Sequence, residues 1–232
     1  MDITAVILAG GLGTRLRDVV ADLPKVLAPV RGRPFLAYVL RQIQRAEHHM
    51  AVLCIGYEGH EVEKVFGRYF DELELFYSRE ERPLGTAGAL RIAIPLVKTP
   101  WWLVMNGDSY CHLDLSQLHV IAMLDKRPSI VLTQVEDTSR YGQVTMDDDD
   151  RILRFEEKQQ QGSAGWINAG IYLIPAEYIK EIPAGREVSL EKEMFPVWVE
   201  RGLFGIKSNG AFIDIGIPES YADAKRFFQE LE

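Results

Sequence analysis

The stretch that most constrains this chain is Leu8-Ala9-Gly10-Gly11-Leu12-Gly13-Thr14-Arg15-Leu16, entered from an apolar run, Ala5 to Leu8. A run with no polar alternation reads as a strand of a parallel sheet, buried on both faces. The glycines permit a sharp turn and a close approach of backbone to whatever lies above the strand end. Successive backbone N–H groups there can wrap an anion, and Arg15 adds a fixed positive charge. The segment therefore reads as a loop that holds nucleotide phosphates. It is not a P-loop, because no Gly-Lys pair occurs in the chain. It is not a dinucleotide fingerprint either, since Leu16 stands where the third glycine should allow close helix–strand packing. A ligand-free βα turn remains the competing reading until the rest of the chain is considered.

The segments that follow alternate between strand and helix patterns. Pro24 and Pro29 hold 22–30 extended and present Lys25 from a stiff backbone. Pro34 opens a helix with Phe35, Val39 and Ile43 on one face. Ala51–Ile55 is a second strand, 59–70 a helix, Leu73–Tyr77 a third strand, 87–97 a helix capped by Thr86, and Trp101–Met105 a fourth strand. Such a β-α-β-α-β rhythm predicts a parallel sheet with right-handed crossovers. Further strands are expected at 129–136 and 166–174, with a hairpin whose arms, 141–144 and 152–155, flank four aspartates, Asp147 to Asp150. Those aspartates lack calcium-loop spacing and read as a solvated turn. Ser189 starts a helix with an imperfect capping box, 203–207 and 211–213 form a short hairpin, and Pro218 begins the last helix.

Ligands of open parallel sheets bind beyond the carboxyl ends of the strands. The first loop and the loop Ser78 to Gly88, with Glu80, Pro83, Gly85 and Thr86, thus face one crevice. Asn106-Gly107-Asp108 ends the fourth strand there, and Asp108 sits where a cation could bridge it to phosphates. As an isolated instance, a Gly-Asp pair would be only a turn. Glu80 lies where a carboxylate could accept from the adjacent N1–H and N2–H₂ donors of guanine, which favours GTP; the alternative is an exposed loop glutamate.

Taken in order, the motif 8–16, Pro24-Lys25, 83–88, Gly107-Asp108, Glu157-Lys158, Asn168-Ala169-Gly170 and Asp214 resemble the sugar-1-phosphate nucleotidylyltransferases over nearly the whole chain. The resemblance implies a Rossmann-like three-layer αβα sandwich with a mixed, mainly parallel central sheet, of nucleotide-diphospho-sugar transferase type. It implies that Leu8, Ala9, Gly10, Gly11, Gly13 and Thr14 wrap the triphosphate, with Arg15 and Lys25 neutralising charge. It implies Mg²⁺ on Asp108 and Asp214, and Lys158 on the sugar phosphate. Glu157, Asn168, Gly170, Gly107 and the backbone near Tyr141 and Gly142 would face the sugar. Gln159 stands where the family usually has proline after Glu-Lys. Within the family the pattern is most like the guanylyltransferases of heptose 1-phosphate, then those of mannose 1-phosphate, then UTP- and CTP-dependent relatives. A binding module that lost catalysis is disfavoured by retention of Arg15, Lys25, Asp108, Lys158 and Asp214.

Size and charge agree. The 232 residues suffice for one α/β domain spanning 1–232, and no hexapeptide repeat announces a C-terminal β-helix. A net charge of −8 argues against a nucleic-acid surface. No apolar stretch approaches the ~20 residues of a membrane span, the N-terminus lacks a signal-peptide pattern, and Cys54 and Cys111 lie in apolar strands. These features read as a cytoplasmic enzyme with reduced thiols. Its partners are GTP and a sugar 1-phosphate, and a homo-oligomer is open.

Overall fold

The computed structural model describes residues 3–11, 13, 16, 20, 23–156 and 162–231. The first half builds a parallel core. β1 (Ile3–Leu8) lies between β4 (Met50–Ile55) and β7 (Trp101–Asn106), and β6 (Leu73–Arg79) flanks β4, all parallel. The two-residue strands β2 (Pro29–Val30) and β3 (Arg33–Pro34) pair only with each other, and β5 (Tyr69–Phe70) turns back antiparallel onto β6.

The apolar strand runs sort their residues to two faces by simple alternation. Ala5, Ile7, Ala51, Leu53 and Ile55 pack beneath α1 (Phe35–Arg45) and α2 (Gly59–Phe66), joined by α4 (Ser116–Val120) and α7 (Pro218–Leu231). Val6, Val52, Cys54 and Val104 pack on the other side against α3 (Gly85–Ala93), α5 (Ala176–Lys180) and α6 (Phe195–Arg201). Helices on both faces of a mixed, mainly parallel sheet make the three-layer sandwich. The helices after β1 and β4 cover one face and the helix after β6 the other, so the winding reverses between β1 and β7.

The second half adds antiparallel strands. β12 (Gly165–Pro175) pairs with β7 through its C-terminal half and with β9 (Ser129–Val135) on its other edge. Its N-terminal half rises above the end of β7 and meets β10 (Gln143–Met146), which forms a hairpin with β11 (Ile152–Glu156). β13 (Phe204–Ser208) runs parallel to β9. β8 (Ser109–Cys111) and β14 (Phe212–Asp214) form a separate pair. The hairpin tip then reaches β13: Ile152 N donates to Leu203 O at 2.8 Å and Gly205 N to Asp150 O at 2.7 Å. The path β10–β12–β9–β13–hairpin tip is therefore a closed ring.

Several local expectations are corrected. The helix expected over 59–70 stops at Phe66, because Gly67 takes φ +60°, and the chain continues into β5. The segments 203–207 and 211–213 are strands but not a hairpin; each finds its partner elsewhere, on β9 and β8. Strand propensity is local, whereas partner choice is tertiary. The two prolines do not keep 22–30 extended throughout. Lys25–Leu27 is a 3₁₀ turn, with Ala28 N donating to Lys25 O at 3.0 Å. Pro34 precedes α1 at its N-cap position and does not enter the helix. Helix α3 starts at Gly85, so Thr86 lies inside it, and a 3₁₀ turn over Ile94–Leu96 follows its end at Ala93. Ser189 does cap its helix, accepting from Lys192 N, but the first turn is a π-helix over Leu190–Met194. That wider turn carries the reciprocal carboxylate one residue onward, and Glu193 accepts from Ser189 N at 3.1 Å. Asp147 closes the β10–β11 turn as expected, accepting from Asp149 N and Arg151 N. Both cysteines are buried thiols, and among the described residues no helix is long and apolar enough to cross a membrane.

Candidate active site

At the point where the winding reverses, β1 and β7 end side by side, with Leu8 opposite Asn106. Gly107 N donates to Leu8 O at 2.9 Å, and Ala9 N to Cys54 O at 2.8 Å. These bonds turn the loops after β1, β4 and β7 toward one another. A Cβ on Gly107 would stand 2.9 Å from Leu8 O, so glycine there is a condition of the approach. Above them opens a cavity of about 490 Å³. Leu8, Gly10, Gly11, Glu80, Pro83, Gly85, Thr86 and Asp108, named from the sequence on separate grounds, all line it. Ala9 is buried beneath it, and Gly13, at φ +58°, packs against Lys25. Leu12, Thr14 and Arg15 lie outside the described residues.

Glu80 joins the two glycine loops. Its Oε2 accepts from Leu84 N at 2.8 Å, closing its own loop, while Oε1 lies against Gly10 and Gly56. One carboxylate oxygen is thus committed to backbone, and the other lies beside the glycine that lines the cavity. Burial pushes the Glu80 carboxyl above its ordinary range, and the Leu84 N–H partly offsets that. The helix that begins at Gly85 is held from a distant part of the chain. Val188 O accepts from Ala87 N at 3.0 Å, Val188 N donates to Leu84 O, and Leu190 N donates to Thr86 Oγ1 at 2.8 Å. Thr86 in turn donates to Glu191. Gly85, at φ +73°, leaves room for the Val188 carbonyl.

At the Asp108 end of the cavity, two carboxylates meet two cations. Lys25 Nζ lies 2.7 Å from Asp108 Oδ2, and the lysine side chain is only 11% exposed. Asp214 is brought close by the β8–β14 pair, in which it stands opposite Ser109, while Ile215 N donates to Asp108 O at 3.0 Å. Burial raises the Asp214 carboxyl, Lys25 opposes that, and the negative charge of Asp108 adds to it. Arg140 lies 3.8 Å from Asp214 Oδ1, donates to Ser220 Oγ on α7 at 3.4 Å, and covers the ring of Tyr141.

The other expected residues that the structure describes lie around these strand ends, outside the cavity lining. Gly170, at φ +77°, faces Ser109 and Asn106, where a Cβ would come within 2.5 Å of Ser109 Oγ. Asn168 is committed locally: Oδ1 accepts from Gly170 N and Nδ2 donates to Tyr172 OH. One amide hydrogen of Asn168 is left for a ligand. Tyr141 reaches Asp214, whose charge, after burial, raises its phenol. Gly142 leads into β10, and Glu157, Lys158 and Gln159 lie outside the described residues.

Gly56 and Tyr57 also line the cavity, as do Arg82, Asn106 and Glu187. Gly56 and Tyr57 follow the end of β4, so the strand-end rule that found the other loops could have found them. Glu187 and Arg140 carry no local signal, because only the distant pairings deliver them.

A family model described as nucleotidyl transferase matches residues 4–230. A D-glycero-alpha-D-manno-heptose 1-phosphate guanylyltransferase of Campylobacter jejuni is 33% identical over 217 residues, covering 94% of this chain and 96% of its own. A mannose-1-phosphate guanylyltransferase of Mycobacterium tuberculosis is 34% identical over 94% of this chain and 62% of its own. The crystal structure of HddC from Yersinia pseudotuberculosis complexed with GMP-PN superposes with a TM-score of 0.83 at 32% identity, covering 97% of this chain and 99% of the other.

Proposed function

Because the chain belongs to the nucleotidyl transferase family, we propose that it transfers GMP from GTP to a sugar 1-phosphate, D-glycero-D-manno-heptose 1-phosphate in the first place. The observation that carries this is the meeting of the two glycine loops and Asp108 around one cavity, with Lys25 at its end. Similarity to the Campylobacter enzyme supports the guanine and the heptose, and similarity to HddC, complexed with GMP-PN, supports the guanine. Similarity to the mycobacterial enzyme supports mannose 1-phosphate as the second reading.

In this reaction an oxygen of the sugar phosphate attacks the α-phosphorus of GTP, and the bond to the β,γ-pyrophosphate breaks. The nucleophile is already an anion, so no general base is needed. The obstacle is to hold two polyanions together, and charge and position overcome it. The backbone N–H groups from Gly10 onward, with Thr14 and Arg15, wrap the triphosphate, and Lys25 meets the phosphates beside Asp108. Glu80 accepts from the guanine edge through the oxygen that Leu84 leaves open, and Pro83, Gly85 and Thr86 form the wall. Lys158 holds the sugar phosphate, while Glu157, Asn168 and the backbone at Tyr141-Gly142, Gly107 and Gly170 meet the sugar hydroxyls.

Asp108 and Asp214 fit a Mg²⁺ ion. They are hard oxygen donors, each repels the charge of the other, and among the described residues no third acidic, His or Cys ligand joins them. One or two protein carboxylates, completed by substrate phosphate, is the donor set that Mg²⁺ favours. When bound, the ion supplies neutralisation of the phosphate oxygens.

Pyrophosphate release, measured with Mg²⁺ across nucleoside triphosphates and sugar 1-phosphates, tests the proposal. GTP with heptose 1-phosphate is expected to turn over best, and a preference for UTP or CTP would overturn the guanine assignment. Asp108→Asn and Lys158→Met should each lower turnover by orders of magnitude while leaving the thermal transition in place.

A further inference from the structure

The ring formed by β10, β12, β9, β13 and the hairpin tip has a mouth of its own. It opens as a cavity of about 500 Å³ that shares no lining residue with the first. The ring's inner face is fixed by Gly205, where a Cβ would collide with the Met146 sulfur and come within 2.7 Å of Leu132. Alternation along the strands places Gln134, Val144, Trp166 and Lys207 on that same face. The floor is thus Val144 and Met146, and the walls carry a half-buried indole and amides. Gln143 borders the mouth, its amide nitrogen packed where a Cβ on Gly165 would stand.

Polar groups here have no protein partner among the described residues. Thr145 Oγ1 is buried without a hydrogen bond, and no side-chain bond is made by Gln134, Gln143 or the Trp166 N–H. Leaving a buried hydroxyl unpaired is costly, and the uncommitted amides and indole N–H at the mouth can pair with a ligand that offers donors and acceptors. The charges limit what that is. Lys207 Nζ is held by Asp150 at 2.6 Å, and the other charged residues at the rim, Asp147 and Asp148, are acidic. Among the described lining residues an anion finds no uncommitted cation. Amides both donate and accept, as hydroxyls do, and a flat indole receives an apolar C–H face.

We propose that the mouth of this ring is a second ligand site, taking an uncharged polyhydroxyl ligand of monosaccharide size. The site is independent of the catalytic reading, which concerns phosphorylated substrates.

Saturation-transfer NMR on the full chain with D-mannose, in the presence of excess mannose 1-phosphate and GTP without metal, tests it. Transfer to mannose should persist under these conditions and weaken at least tenfold in Gln134→Ala and in Trp166→Leu. Gln134 is exposed, so its variant keeps the fold even if the Trp166 variant does not. Turnover by Gln134→Ala should stay within about twofold of the parent. Absence of transfer to mannose, its displacement by mannose 1-phosphate, or full retention in Gln134→Ala would each overturn the proposal.

Discussion

Gly10 and Gly11 are adjacent in the loop after β1, yet alanine should be tolerated at one and not at the other. A Cβ on Gly11 meets nothing within 4 Å, whereas one on Gly10 would stand 2.6 Å from Glu80 Oε1, 3.0 Å from Gly56 N and 3.3 Å from the Ile55 carbonyl carbon. The carboxylate can retreat only by loosening its 2.8 Å bond from Leu84 N. A hydrogen bond to a charged group contributes ~1.5–3 kcal/mol, and overpacking costs ~1–3 kcal/mol when backbone must shift. Gly10→Ala should therefore cost about 2 kcal/mol. For a chain of this size that lowers the melting temperature by roughly 4–8 °C. Gly11→Ala should stay within ~0.5 kcal/mol of the parent. Calorimetry of both variants, repeated in a Glu80→Ala background, reads the effect directly. With Glu80 removed, more than half of the Gly10→Ala penalty should vanish, because only the longer contacts with Gly56 N and the Ile55 carbonyl carbon remain. Displacing Glu80 should also raise the KM for GTP about tenfold, equivalent to ~1.4 kcal/mol. Equal melting temperatures for the two alanine variants, or an unchanged penalty without Glu80, would refute the crowding argument.

Other consequences can be measured separately. His48 is buried beside His119, with their Nε2 atoms 3.1 Å apart, and burial first, then His119 and His49, lowers its pKa to about 4. The unfolded chain binds this proton from about pH 6.5 downward and the folded chain does not, so stability falls as pH drops through that window. The loss should reach ~2 kcal/mol between pH 8 and pH 5, and His48→Gln should flatten that slope in urea titrations. Arg140→Met should separate Asp214 from the Tyr141-Gly142 turn. The expected result is a rise of about tenfold, or ~1.4 kcal/mol, in the KM for the sugar phosphate with little change for GTP; equal effects on both substrates would count against it. Thr86→Val strands Leu190 N, leaves Glu191 only the Ser189 hydroxyl, and should cost ~1–3 kcal/mol of unfolding free energy, read from the denaturant midpoint.

The apolar runs and glycine-bearing strand ends determined by themselves the layered α/β class and the convergence of the glycine loops on one cavity. Both signals are local: a buried parallel strand must be apolar along its length, and a loop that hugs a ligand or another loop must lack Cβ atoms. Leu8, Gly10, Gly85 and Asp108 were legible for that reason. Only the tertiary structure decided which strands pair, because the strand pattern of 203–213 is the same whether it forms a hairpin or divides between β9 and β8. That choice rests on contacts far apart in the chain, and it carries Asp214 to Asp108 and Lys207 to the mouth of the ring. The two neighbouring glycines show the same division at the scale of one atom. Their identity is written in the sequence, but which of them is crowded depends on where Glu80, seventy residues later, comes to rest.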